Sequence, residues 1–259
     1  MQLNGVPPTM DQVKALALTN YGHFTSMLTE DGRVRGLSLH LQRLARDCRL
    51  LFDADLDIDQ VRNYVRQALV DQAPRTVARV TVYDPGLDLG TIGSDAAPHV
   101  LVTTRAASTS DPGPLRLQAA AYRREMAAVK HIGLFGALRC RRTAQREGFD
   151  DVLFLNQDGT ISEIATSNIG FVRDGSIVWP RSEWLTGITM TLLNQALDEP
   201  IHSEPLTLKD LPAMEFVFAT NAATGIRPVA SVDDHSWPVD HAVLKQLREL
   251  YADIPAEQI

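Results

Sequence analysis

Apolar residues recur along this chain at two spacings, and each spacing predicts its own kind of element. Leu41, Leu44, Cys48 and Leu51 fall three or four apart, which marks one face of a helix over 39–52. Ile58, Val61, Tyr64, Val65 and Leu69 repeat that rhythm and predict a second helix over 57–72. Ahead of both, 16–30 alternates unevenly and reads as a strand. Asp31-Gly32 is a hairpin turn, and 33–37 returns as its partner. Ser38 stands at the expected helix N-cap. Runs rich in β-branched residues at 76–83 and 99–105 predict two further strands.

The pattern breaks at 107–114, Ala-Ser-Thr-Ser-Asp-Pro-Gly-Pro, a small, polar, turn-rich linker. It restarts with a strand at 115–121 and a helix at 134–147 that stops at Gly148. Short strands follow at 152–155, 160–165, 169–173 and 176–179, with turns at Asp158-Gly159 and Asp174-Gly175. A helix runs from Gly187 toward Leu197, then come strands at 215–220 and 227–232 and a closing helix at 239–250. The expectation is an α+β chain in two domains. A small N-terminal α+β domain spans 1–106, a linker 107–114, and a larger C-terminal domain 115–259.

Composition narrows the function classes. A net charge of −7 argues against a nucleic-acid partner, which needs a basic face. No apolar run is long enough to span a bilayer, and the first residues lack a signal-peptide pattern, so no membrane and a cytoplasmic location are expected. Cys48 and Cys140 lie far apart and outside any CxxC pair, which predicts two reduced thiols and no metal site.

Lysine is scarce: Lys14, Lys130, Lys209 and Lys245 are the full set. Arginine can fill most surface roles but cannot lose a proton and attack a carbonyl. Lys130 lies among Met126, Ala127, Ala128, Val129 and Ile132, which predicts partial burial and an amine of lowered basicity. Glu163, on a predicted strand, is placed to keep a pyridine nitrogen protonated, and a protonated ring stabilises a neighbouring carbanion. Asn168 is either a turn residue or a group that orients Glu163 or a ring hydroxyl. Gly187-Ile188-Thr189 opens a helix whose unsatisfied N–H groups favour an anion. Arg43, on the first predicted helix, is a second candidate for the same anion.

These positions resemble the class IV aminotransferase family, the fold type IV enzymes that use pyridoxal 5′-phosphate. The resemblance runs through Gly22-His23-Phe24-Thr25-Ser26, His40 to Leu44, Lys130, Glu147 to Asp151, Glu163 to Asn168, Leu185 to Thr189, and Asn221 to Val229. It implies that Lys130 is the Schiff-base lysine, carried by the larger domain, and that Glu163 is the partner of the pyridine nitrogen. It assigns the phosphate to Arg43, Ile188 and Thr189, and places Gly187, Asn168, Asn221 and Ala222 beside the cofactor. It also implies a site between the two domains, a homodimer, and small amino and oxo acids as substrates.

The substrate side matches no single subfamily. Branched-chain aminotransferases carry a tyrosine where this chain has Phe135, and Gly-Thr-Ala where it has Asn221-Ala222-Ala223. The Asn-Ala pair, with Lys-His at 130–131, is similar to aminodeoxychorismate lyases, which eliminate pyruvate. Arg79 falls near the branched-chain pattern, where an arginine holds the substrate carboxylate. Phe24 and Ser26 are further substrate candidates, and Arg227 is either another carboxylate contact or a surface residue. The expectation is an aminotransferase, with such a lyase as the alternative.

Overall fold

The computed structural model describes residues 1–197 and 202–259, and their contacts fall into two compact units. The first unit holds 1–109, 129–133 and 255–259. Its elements are β1 (Gln2–Leu3), α1 (Met10–Thr19), β2 (His23–Glu30), β3 (Arg33–Arg35), α2 (Leu37–Phe52), α3 (Ile58–Ala68), β4 (Arg75–Tyr83) and β5 (His99–Ala106). The sheet runs β1-β5-β4-β2-β3 and ends on a C-terminal strand, Ala256–Gln258, antiparallel to β3. Its core joins Met27, Ala78, Val80, Val82, Val100 and Val102 of the sheet to Leu37, Leu41, Leu44 and Cys48 of α2 and Val61 and Val65 of α3.

Two local expectations change here. The segment 16–19 is the end of a helix, and the strand begins only at His23. Thr9 and Gln12 cap that helix reciprocally, with Thr9 N–H donating to Gln12 Oε1 at 2.8 Å and Gln12 N–H to Thr9 Oγ1 at 3.2 Å. Ser38 is no N-cap. Gly36, at φ +70°, takes that position, and Glu257 of the C-terminal strand accepts from the Ser38 N–H and hydroxyl. A carboxylate from the far end of the chain thus satisfies the α2 N-terminus.

The second unit holds 110–128 and 134–254. It contains β6 (Leu115–Ala121), α4 (Phe135–Arg146), β7 (Asp151–Leu155), β8 (Ile161–Ile164), β9 (Asn168–Arg173), β10 (Ser176–Pro180), α5 (Ile188–Ala196) and β11 (His202–Glu204). After a short 3₁₀ turn, Leu208–Ala213, come β12 (Phe216–Asn221), β13 (Gly225–Val232), β14 (His235–Ser236) and α6 (Ala242–Asp253). The sheet order is β11-β10-β9-β12-β13-β6-β7-β8, with β14 attached to β13. One sheet face packs Ile169, Phe171, Val217 and Ala219 against Leu206 and Leu211. The other packs Val172, Phe216 and Phe218 against Met190 and Leu193 of α5 and Leu244 and Leu247 of α6. Gly170 is required on that face, because a Cβ there would overlap the Phe218 ring.

The contact grouping departs from the sequence expectation of an uninterrupted second domain over 115–259. Residues 129–133 bond to the strand segment 22–24, and 255–259 extend the first sheet, so both count with the first unit. Lys130 is therefore carried by the first unit. Among the described residues, no helix is long and apolar enough to cross a membrane.

Candidate active site

In the first unit, α2 buries two adjacent stripes. Beside the apolar one, His40, Arg43 and Asp47 recur at i, i+3 and i+7 and are also buried. Thr25 of β2 faces them. Arg43 Nη2 donates to Thr25 Oγ1 at 2.7 Å, and that oxygen lies 2.6 Å from His40 Nδ1. The Thr25 hydroxyl, with one proton and two lone pairs, thus joins the guanidinium to the imidazole. Burial, reinforced by the charges of Arg43 and Lys130, pushes His40 well below its ordinary range and keeps it neutral. Neighbouring His23 is pushed down to about 3, first by burial and then by Arg43 and Arg46. Burial lowers Arg43 to about 10, opposed by the charge of Asp47, so it stays cationic at neutral pH. Arg43 is thus a buried, oriented cation.

Lys130 is fixed through its main chain. Phe24 N–H donates to the Lys130 carbonyl at 2.8 Å, and Ile132 N–H donates to the Gly22 carbonyl at 2.9 Å. The Lys130 N–H itself donates to Asp47 Oδ2 at 3.2 Å. The side chain is half-buried, with Nζ 4.9 Å from the centroid of the Phe24 ring. The Arg79 guanidinium carbon lies 3.6 Å from the same centroid. Ser26 and Arg79 are register partners in β2 and β4, so both point to the side of the sheet that Phe24 occupies. Three residues singled out from sequence, Phe24, Arg79 and Lys130, therefore meet at one aromatic ring, and Ser26 shares their face of the sheet.

In the second unit, Glu163 is buried on β8, where Arg124 Nε donates to its Oε1 at 2.8 Å. Arg124 Nη2 also donates to the Ala165 carbonyl at 3.2 Å. A tight turn, with Ile164 and Ser167 exchanging backbone bonds at 2.9 and 3.2 Å, then delivers Asn168 to the start of β9. Asn168 Nδ2 donates to the Leu185 carbonyl at 2.8 Å, and a Cβ on Gly187 would overlap Asn168 Oδ1. Asn168 thus pegs the loop that leads into α5, and glycine at 187 lets it approach.

Gly187 caps α5 without a side-chain hydrogen bond. Thr189, in the first turn, is 1% exposed, yet among the described residues its Oγ1 has no hydrogen-bond partner; the same holds for Thr220 on β12. Buried hydroxyls left without partners cost about 1–3 kcal/mol. Thr220 is the register partner of Asn168 and shares its strand face with Phe216 and Phe218, the face that α5 covers. Asn221 Nδ2 donates to Ser167 Oγ at 3.0 Å, while its Oδ1 closes an Asx turn over Ala222 by accepting from the Ala223 and Thr224 N–H groups.

Arg227 has a use that neither sequence alternative named. Its Nε and Nη2 donate to the carbonyls of Gly113 and Pro112, both at 3.0 Å, so it clamps the chain just ahead of β6. Sequence reasoning gave no role to Thr25, Asp47, Arg124 or Thr220. The spacing of Asp47 four residues after Arg43 was a usable signal for it. Arg124 and Thr220 carry none, since only folding brings them to Glu163 and to the α5 side of the sheet.

The family model for amino-transferase class IV matches residues 22–232. A "Probable branched-chain-amino-acid aminotransferase" of Rickettsia bellii is 32% identical over 125 residues, 46% of this chain and 43% of that protein. The "Branched-chain-amino-acid aminotransferase 1, mitochondrial" of Arabidopsis thaliana is 30% identical over 152 residues, 54% of this chain and 40% of its own length. The matched stretch thus spans less than half the length of either relative. Two solved structures share the fold. A "Putative 4-amino-4-deoxychorismate lyase" of Legionella pneumophila superposes with a TM-score of 0.85 at 22% identity, covering 96% of both chains. A hypothetical aminotransferase from Mycobacterium tuberculosis, in its PLP-bound form, gives 0.82 at 20% identity, covering 96% of this chain and 93% of its own. On the family model, which spans most of its length, the chain belongs to the class IV aminotransferase family.

Proposed function

We propose that this chain is a pyridoxal-phosphate-dependent aminotransferase that moves an amino group between an amino acid or amine and a 2-oxo acid. The observation that carries this reading is the cluster on Phe24, where the amine of Lys130 and the guanidinium of Arg79 meet one ring. An amine able to form an imine and a cation able to hold a carboxylate are what an α-amino acid substrate requires.

Each unit, taken by itself, supplies groups of the chemistry the cofactor needs. Its phosphate needs donors and positive potential. Arg43 is a buried cation, and α5 offers the N–H groups of its first turn and an unpartnered Thr189 hydroxyl. Pyridoxal phosphate, when bound, supplies an aldehyde that condenses with amines and a ring that stabilises negative charge on the attached carbon. Lys130 would hold that aldehyde until a donor amine displaces it, and its freed amine would then carry a proton to and from the substrate carbon. Glu163, held in place by the Arg124 guanidinium, would keep a proton on the ring nitrogen. Ile188 N–H and Thr189 would bind the phosphate, with Asn168, Gly187, Asn221 and Ala222 shaping the loops around it. Arg79 and Ser26 would orient the substrate carboxylate. In this reading the protein works as a homodimer in the cytoplasm, and light scattering of the purified chain tests the first of these.

A lyase that eliminates pyruvate is the alternative, favoured by the Asn221-Ala222 pair together with Lys130-His131. A screen of amino donors against the cofactor-loaded protein decides. A donor that converts the cofactor to its aminated form, with turnover dependent on an added 2-oxo acid, supports the aminotransferase. Pyruvate released from aminodeoxychorismate with no second substrate contradicts it.

A further inference from the structure

Asp47 is fully buried on α2, one turn beyond Arg43, and both carboxylate oxygens are engaged on one side of the unit. Oδ1 accepts from Arg46 Nε at 2.9 Å and Nη2 at 2.6 Å. Oδ2 accepts from the main-chain N–H of Lys130 at 3.2 Å. A buried carboxylate is costly to desolvate and persists where charged donors compensate it. Arg46 alone would supply that compensation at the helix surface. The second oxygen instead reaches a segment eighty-three residues away in sequence and takes hold of the residue whose side chain projects toward Phe24.

We propose that Asp47 is a positioning residue for Lys130: it locks the lysine main chain against α2, so that the helix carrying Arg43 also sets where the reactive amine stands. This rests on the functional role given to Lys130 above. The carboxylate is needed because both partners are donors. Asparagine has one acceptor oxygen and one donor NH₂ group, so it satisfies either Arg46 or the Lys130 N–H and opposes the other. Two further anchors of the segment, from Phe24 N–H and to the Gly22 carbonyl, lie on β2 and its lead-in, whereas Asp47 ties it to α2.

The test is hydrogen exchange, read by mass spectrometry with fragmentation, on the cofactor-loaded wild type and on Asp47→Asn and Asp47→Ala. The expected result is exchange at the Lys130 amide faster by about tenfold or more, the loss of one charge-assisted hydrogen bond. Peptides from the apolar stripe of α2 and from β4 should keep their protection. With the donor amino acid, kcat should fall by about tenfold or more while KM changes by less than about threefold, as expected when a reacting group is misplaced. Unchanged exchange at Lys130 in both variants overturns the proposal. Equal acceleration throughout the first unit overturns it too, since Asp47 would then be a core ion pair only. Should Asp47→Ala fail to fold, Asp47→Leu, of similar shape and with no acceptor for the Lys130 N–H, carries both arms. A wild type that never takes up cofactor would sink the functional reading, while the exchange comparison, made on the unloaded protein, would still decide the tie between Asp47 and Lys130.

Discussion

Arg124 and Glu163 form a buried ion pair, Nε to Oε1 at 2.8 Å, with side chains only 11% and 5% exposed. The carboxylate assigned to the ring nitrogen is therefore also part of the protein's own framework. Removing it has two effects. Glu163→Ala leaves Arg124 buried without its counter-charge, a loss of about 3–5 kcal/mol. Glu163→Gln keeps an acceptor for Arg124 and should cost about 1–3 kcal/mol, the worth of a charged hydrogen bond. Urea unfolding should rank wild type, Gln and Ala in that order, and turnover should fall in Gln by about a hundredfold or more through loss of a few kcal/mol of charge stabilisation. Equal stability of all three proteins would contradict the buried pair.

Thr189→Val separates a binding hydroxyl from a structural one. Because Thr189 Oγ1 is buried and makes no hydrogen bond among the described residues, its removal should leave the stability of the unloaded chain unchanged or slightly raised. Affinity for pyridoxal phosphate should weaken by roughly threefold to tenfold, from about 0.5–1.5 kcal/mol. Urea unfolding of the unloaded chain and calorimetric titration with the cofactor check the two arms. A loss of stability with unaltered affinity would move the hydroxyl out of the phosphate cradle.

Arg43→Ala should weaken cofactor binding by about tenfold to a hundredfold, since a charged hydrogen bond is worth about 1.5–3 kcal/mol. Inorganic phosphate should compete with the cofactor in wild type and much less in the variant. An unchanged competition constant would take Arg43 out of the phosphate site.

The buried histidines set an acid limit. His23 lies at about 3 against an ordinary 6.5, and His40 is lowered in the same direction. Between those values the unfolded chain binds protons that the folded chain refuses, so stability falls as pH drops below 6.5. His23 alone should cost about 2 kcal/mol by pH 5, at roughly 1.36 kcal/mol per pH unit. Urea unfolding at pH 7.5 and pH 5 should show this fall, and His23→Phe should reduce it. Equal falls in both proteins would contradict a neutral buried His23.

Much of this architecture was written in local patterns. Helices α2 and α3 of the first unit and the strand-rich second half were legible because their apolar faces repeat at helical or strand spacing. The partial burial of Lys130 and the helix start at Gly187-Ile188-Thr189 were legible from their local setting. The helix at Met10–Thr19 was not, although Thr9 and Gln12 spell its cap; Leu16 and Leu18 alternate like a strand and none of its residues is buried. The return of 255–259 to the first sheet and the capture of 129–133 by β2 were also hidden, because both are non-local pairings that no periodicity encodes. Arg227 illustrates the same limit from the other side. Its charge suggested a ligand, while its partners are two carbonyls more than a hundred residues away.

The central claim is that Lys130 carries the cofactor, and covalent mapping tests it most directly. The purified protein, loaded with pyridoxal phosphate, is reduced with borohydride, digested, and its modified peptide sequenced. The account predicts one phosphopyridoxyl group, on Lys130, and none in Lys130→Ala. Attachment at Lys14, Lys209 or Lys245, or no attachment to a protein that nonetheless transfers amino groups, would contradict it.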